Sequence, residues 1–184
     1  MSLNLVRAVA KTENNDDIHL GRLLLLLLAA NNRSSKAIEG ITKLAKLDFL
    51  LRYPNCLERA LGATETRMEL ANVKDYERTT IESKMIRFKY GPWDVRYRRW
   101  LSLLASQGLV TVDLKGKTVF IMLTDNGRGV AEQFANDSSY SDINSRSQLV
   151  LKTFGSMSAS RIKAFVYEVF PELETMKWGE DILL

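Results

Sequence analysis

Apolar positions follow a helical period through most of the chain and lose it in one place. Leu23 to Leu28, continued by Ala29 and Ala30, is apolar on every side. That pattern predicts a central, buried helix from about Ile18 to Ala30, capped by Asp16 or Asp17. Asn31 to Lys36 is polar and reads as a loop. In ITKLAKLDFLLRYP, the residues Ile41, Leu44, Leu47 and Leu51 fall on one stripe. The helix they predict stops before Pro54, because the residue ahead of a proline disfavours helical backbone. Asn55 is placed to cap a short helix through Leu61. All these leucines are read as core.

Tyr90 to Val130 carries the most specific pattern. A helix is expected directly after Gly91, with Pro92 at its first position, where a missing N–H costs nothing. Trp93, Tyr97, Trp100, Leu101 and Leu104 share its apolar face. Arg98, Arg99, Ser102 and Ser106 fall opposite, Arg96 lies at the flank, and Gly108 ends the helix. The helical period is then lost: Leu109 to Asp113 is short and β-branched, Lys115, Gly116 and Lys117 make a turn, and Thr118 to Leu123 returns as a second strand. Thr124 or Asp125 caps a further helix, against Gly127 and Gly129, which each cost it about 1 kcal/mol relative to alanine. Helix, two-stranded ribbon and helix in that order form the second half of a winged helix. The expected fold class is therefore α+β, mostly helical, with a winged helix-turn-helix domain and its two-stranded wing over residues 1–136. A C-terminal helical extension with an acidic and apolar tail is expected over 137–184.

Two stretches fit this scheme less simply. The insertion at 63–83, ATETRMELANVKDYERTTIES, alternates charge sign and carries few large apolar residues. It is much longer than a helix-turn-helix turn, and reads as a functional loop or a mobile connector, with a helix around Thr64 to Ala71. After the linker Asn136 to Tyr140, a helix from Asp142 to Phe154 is broken by Gly155. A last helix, capped by Ser156 or Ser158, buries Ile162, Phe165, Val166, Val169 and Phe170 and ends at Pro171. The tail sets Glu172, Glu174, Glu180 and Asp181 against Lys177, with Trp178, Ile182 and Leu183 as partner-docking residues. A tail folded back onto its own domain has the same composition.

Length and charge narrow the choice. With 184 residues, 46% of them hydrophobic, the chain can bury one core. The single cysteine, Cys56, leaves no intrachain disulfide, and the leucine run is far short of the roughly 20 residues of a membrane span. With no targeting segment read at the N-terminus, a cytoplasmic protein is expected. The net charge is only +4, yet Lys84, Arg87, Lys89, Arg96, Arg98 and Arg99 stand against one acid, Asp94, within sixteen residues. Together with Lys115 and Lys117 on the wing, these six are the candidate interaction or nucleic-acid-binding residues. A solvated helix face has the same look.

Catalytic chemistry is hard to find. The one histidine, His19, sits at the start of the buried helix and reads as a capping or surface residue; no triad, Cys–His pair or metal cluster can be assembled around it. The GPW and NGRG elements lack the lysine and spacing of a phosphate loop. No catalytic residue, cofactor or metal is assigned.

ITKLAKLDFLLRYPNCLERAL, then MIRFKYGPWDVRYRRWLSLLASQGLV and LTDNGRGVAEQF, resemble the middle component of bacterial ABC three-component systems, the group that includes the small subunit of Lamassu-type defence complexes. The resemblance covers about residues 20 to 170, with KLDFLLRYP and YGPWD its more specific elements. It implies a non-enzymatic accessory subunit that bridges an SMC-like ATPase and a nuclease-type effector, and that contacts double-stranded DNA within the complex. The alternative is a stand-alone winged-helix regulator, in which Arg96, Arg98 and Arg99 enter the major groove and the wing lysines touch phosphates.

Overall fold

In the computed structural model, which describes residues 16–33, 37–78 and 84–184, the apolar run becomes helix α1 (Asp16–Asn31). Leu23 to Ala30 are all buried, because α1 is covered by four later elements: helices α4 (Tyr97–Ser106), α5 (Asp125–Asn136) and α6 (Ser141–Phe154), and strand β5 (Thr118–Leu123). An all-round apolar helix can be stable only in such a position. The chain is mostly helical with a small antiparallel sheet. Strand β1 (Ile38–Glu39) follows α1, then come α2 (Ile41–Arg52) and α3 (Pro54–Gly62). β1 pairs with β5, and β5 with β4 (Val110–Lys115), giving a three-stranded sheet in the order β1-β5-β4.

The expected helix, ribbon and helix of Tyr90–Val130 are present as α4, β4–β5 and α5. Thr124 is the cap: its Oγ1 accepts from Gly127 N at 2.9 Å and donates to Gly108 O at 2.7 Å. Gly127 also has a reason to be glycine, since a Cβ there would overlap the carbonyl of Leu109. Gly129 faces open space.

Several expectations need correction. The helix does not start at Pro92. Gly91–Trp93 is strand β3, paired antiparallel with β2 (Ile86–Phe88), and α4 begins only at Tyr97. Gly91 has φ 98°, a conformation that leads into a strand here and suits glycine, and Pro92 needs no N–H on an edge strand. β1 was not foreseen, as two residues carry no period. α3 begins with Pro54 at its first turn rather than with an Asn55 cap; Asn55 Nδ2 instead donates to Leu184 O at 2.7 Å. In the insertion, the expected helix is reduced to 3-10 turns at Met68–Ala71 and Asp75–Arg78, and residues 79–83 lie outside the described residues. His19 is not at the surface: it is 1% exposed and stacks on Trp100 with ring centroids 4.5 Å apart.

The linker after α5 is a single 3-10 turn, Ser138–Tyr140, with Tyr140 set edge-on against Phe134. It returns the chain along α1 as α6. Helix α7 (Ala159–Val169) packs on α2, and a final turn α8 (Glu172–Thr175) follows. Val150, Phe154, Ile162, Val166 and Phe170 belong to the same core as the leucines of α1 and α2. The C-terminal extension thus shares one hydrophobic core with the rest of the chain.

Candidate functional site

α2 carries charges where its apolar stripe leaves no solvent face. Lys46 and Asp48 are fully enclosed and Arg52 nearly so, among Leu44, Leu47, Phe49, Leu50 and Leu51. A buried charge is tolerated only if it is paired and hydrogen-bonded. Asp48 is. Arg22 Nε of α1 reaches its Oδ1 at 2.7 Å, while Oδ2 accepts from Arg52 Nε at 2.9 Å and from the Tyr97 hydroxyl at 2.6 Å. Arg52 Nη1 continues to Asp94 at 2.8 Å, and Asp94 in turn takes Arg96 Nη2 at 2.8 Å and the Arg96 N–H at 2.9 Å. Burial alone would raise the Asp48 carboxyl, but Arg22 and Arg52 outweigh it and hold it well below the usual carboxylate range. Asp94 is likewise brought down to about 2: desolvation opposes the shift, and Arg96 and Arg52 produce it. The chain Arg22–Asp48–Arg52–Asp94–Arg96 therefore ties α1, α2 and the start of α4 together. It also unites KLDFLLRYP with YGPWD, segments about forty residues apart in sequence.

This network disposes of two of the predicted interaction residues. Arg96 neutralises Asp94, and its guanidinium lies 4.8 Å from the centre of the Trp100 ring. Arg99 pairs with Asp16 at the start of α1, whose other oxygen accepts from Trp100 Nε1 at 2.8 Å. Of the three arginines near the start of α4, only Arg98 is exposed and without an ion pair to a described residue.

Lys84, Arg87 and Lys89 belong to a different element, the β2–β3 hairpin. Arg87 points inward: its Nε donates to Leu173 O at 2.7 Å, its guanidinium also meets the Phe88 carbonyl, and it lies over the Tyr167 ring. Lys84 is exposed, 4.0 Å from Asp181. Lys89 is exposed and lies over the ring of Tyr90, as does Lys163 of α7. Beneath the hairpin, Lys46 Nζ donates to Pro92 O at 2.9 Å. Desolvation, with Arg87 and Lys163 nearby, pushes Lys46 down to about 7. No described carboxylate forms an ion pair with Lys46, Arg87, Lys89 or Lys163.

The predicted docking tail folds back. Arg87 N donates to Glu180 O, Gly179 N to Arg87 O and Ile182 N to Met85 O, at 2.7–2.9 Å, so residues 179–182 run alongside β2, with an antiparallel bridge between Ile86 and Asp181. Ile182 is fully buried, and its carbonyl accepts from Tyr53 Oη at 3.1 Å. It is therefore part of the core, whereas Trp178 (64%) and Leu183 (65%) remain open. At the β4–β5 turn, Lys115 and Lys117 are exposed, beside Leu114 at 70% and Val112 at 41%.

Sequence reasoning missed Arg22, Lys46, Asp48, Arg52 and Asp94. A signal existed, because an arginine inside an otherwise all-apolar helix needs an acid, and Asp48 and Arg52 are four residues apart on α2. Cys56 is buried, and burial pushes its thiol up to about 12, which leaves it protonated and unreactive at neutral pH. Among the described residues, no group of three or more His, Cys, Asp or Glu side chains could hold a metal, and no helix is long and apolar enough to cross a membrane. Compared with models of known families, with curated proteins and with solved structures, the chain matches none.

Proposed function

We propose that the chain is a winged-helix accessory subunit, without chemistry of its own, that bridges an SMC-like ATPase and a nuclease-type effector in a bacterial defence complex. Three features support this reading. The order helix, strand, helix (α1, β1, α2), then, after a stretch that holds α3 and the β2–β3 hairpin, helix and two strands (α4, β4, β5), with β1 beside β5 in the sheet β1-β5-β4, is compatible with a winged helix. The residues of the resemblance, Lys46 to Pro54 and Tyr90 to Asp94, meet in one place. The exposed apolar residues Val112 and Leu114 on the wing, and Trp178 and Leu183 in the tail, offer surfaces suited to protein partners.

The observation that carries the reading is the internal use of the arginines. A helix that reads the major groove needs free guanidinium forks, and here Arg96 and Arg99 already hold Asp94 and Asp16. Co-expression with the products of the neighbouring genes tests it. The subunit is expected to co-elute with an ATPase and an effector, and elution of the three apart overturns it. The regulator reading retains Arg98, Lys115 and Lys117, and predicts duplex binding by the isolated chain that weakens on charge reversal at Arg98.

A further inference from the structure

The β2–β3 hairpin, with the tail bridged alongside β2, has two unlike faces. Arg87 and Pro92 point inward onto α2 and α7, and are buried. The outward face carries aromatic rings: Phe88 lies 5.9 Å from Trp178 and 6.4 Å from Trp93, centre to centre. Phe88 is 43% exposed and Trp178 64%, and Tyr90, at the hairpin turn, is 47% exposed. Rings are costly to leave open, and these are gathered on one small sheet.

Cations surround them. Lys89 and Lys163 flank Tyr90 and form no ion pair with a described residue, while Lys84 lies just before β2 and Lys177 at the start of the tail segment beside it. Arg87 and Lys46 stand directly behind the sheet and add to the positive potential at its surface. The opposing acids are Glu174, Glu180 and Asp181 of the tail; Glu180 accepts from its own turn at Lys177 N, and Asp181 sits at the limit of contact with Lys84. Leaving Lys46 aside, whose charge is partly lost near pH 7, cations outnumber acids five to three over these residues.

We propose that this face binds single-stranded nucleic acid, with bases stacked on Phe88 and Trp178 and phosphates held by Lys84, Lys89 and Lys163. Exposed rings bordered by lysines suit unpaired bases, whose faces are free. A duplex hides the faces of its bases and would meet only the lysines. The platform spans a few residues, so the site takes a short stretch of strand with strong salt dependence. The inference goes beyond the bridging role and does not depend on it, since it concerns the isolated chain.

The experiment measures polarisation of a labelled oligothymidylate with the full chain at low salt, followed by salt titration, alongside a duplex of the same length. Binding of the single strand in preference to the duplex is expected, with quenching of tryptophan fluorescence as bases stack. Trp178→Ala and Phe88→Ala are each expected to weaken it about tenfold. Lys89→Glu together with Lys163→Glu should flatten the salt slope, and Arg98→Glu should leave binding unchanged. Thermal unfolding of each variant checks that the fold is intact; Trp178 and Lys89 are exposed and suited to that control. Absence of binding at low salt overturns the proposal. So does binding that is lost with Arg98→Glu but kept with Trp178→Ala, which would place the nucleic acid on α4. Capture of a protein component that depends on Trp178, with no oligonucleotide binding, also overturns it and assigns the face to a protein. Co-elution with the ATPase is a separate measurement and is not altered by any of these outcomes.

Discussion

The basic run from Lys84 to Arg99 divides at Asp94 into two regions that use charge in opposite ways. Downstream, Arg96 and Arg99 are matched to carboxylates and help fasten α4 to the rest of the chain. Upstream, Lys84 reaches Asp181 only at 4.0 Å, Lys89 has no ion pair to a described residue, and Arg87 has carbonyls and a ring for partners, joined from elsewhere in the chain by Lys46 and Lys163. Charge density along a sequence is therefore a poor guide to charge density in space. A cation adjacent to an acid in the fold is structural, whereas one left among other cations is available to a ligand.

The largest expected effect lies in the matched region. Asp48 holds two guanidinium groups and a hydroxyl, so Asp48→Asn leaves Arg22 and Arg52 short of a counter-charge in a closed space. Breaking a buried ion pair from one side costs about 3–5 kcal/mol, and a loss of that size is expected in denaturant unfolding. A loss below about 1 kcal/mol would mean that solvent reaches the network. Both Asp48 and Asp94 titrate below their usual range, so the stability they confer is complete above the ordinary carboxylate pKa and is lost as pH falls toward 2. Acid unfolding of Asp48→Asn should lack most of that dependence.

The unmatched region predicts the opposite sign. Lys46 is enclosed with one carbonyl as acceptor and with cations for neighbours, so its folded pKa, about 7, lies below its ordinary value of 10.5. Between those two values the unfolded chain binds the proton more tightly, and stability rises with pH through that window. Below about pH 7 the cost of burying the charge is fully present. Lys46→Met retains the length of the side chain and removes that charge. It is expected to stabilise the chain by about 1–2 kcal/mol at pH 6, and to flatten the rise between pH 7 and 10. Tyr167, Arg87 and Lys163 are the titratable or charged groups facing the site from β2 and α7, and none is a carboxylate. Destabilisation across the whole pH range would show that the bond to Pro92 O matters more than the charge.

How far the sequence could reach follows from the same contrast. α1 was legible from its unbroken apolar run, α2 and α4 because each repeats a helical period over ten or more residues, and the ribbon from its β-branched residues on either side of a Lys-Gly-Lys turn. β1, β2 and β3 were not, since two or three residues carry no period and are fixed only by partners distant in the chain: Ile121 for Ile38, the tail for Arg87. Pro92 misled for that reason. A proline after glycine opens a helix or occupies an edge strand equally well, and the choice is made by Lys46 and Trp93 packing, not by local backbone preference. Of the candidate cations, Lys84, Lys89, Arg98, Arg99, Lys115 and Lys117 are exposed, while the buried position of Arg87 depends on Leu173, 86 residues later.

Two neighbouring arginines make the finest test. Arg99 bridges to Asp16, but the pair is at the surface, where such contacts are worth about 0–1 kcal/mol. Arg99→Glu should therefore destabilise by up to about 1 kcal/mol, and more at low salt, because it repels Asp16. Arg98→Glu touches no described counter-ion and should leave stability within about 0.5 kcal/mol. The two variants carry the same charge change on adjacent positions of α4, so nonspecific electrostatics affect them alike. If Arg98→Glu alone releases the chain from the proposed ATPase partner, α4 presents Arg98, which has no ion pair to a described residue, to a protein carboxylate. If both variants retain the proposed complex, the exposed apolar residues of β4 and the tail are left as the contact, and Leu114→Ser, compared with Leu183→Ser, should then show which of the two separates the subunits.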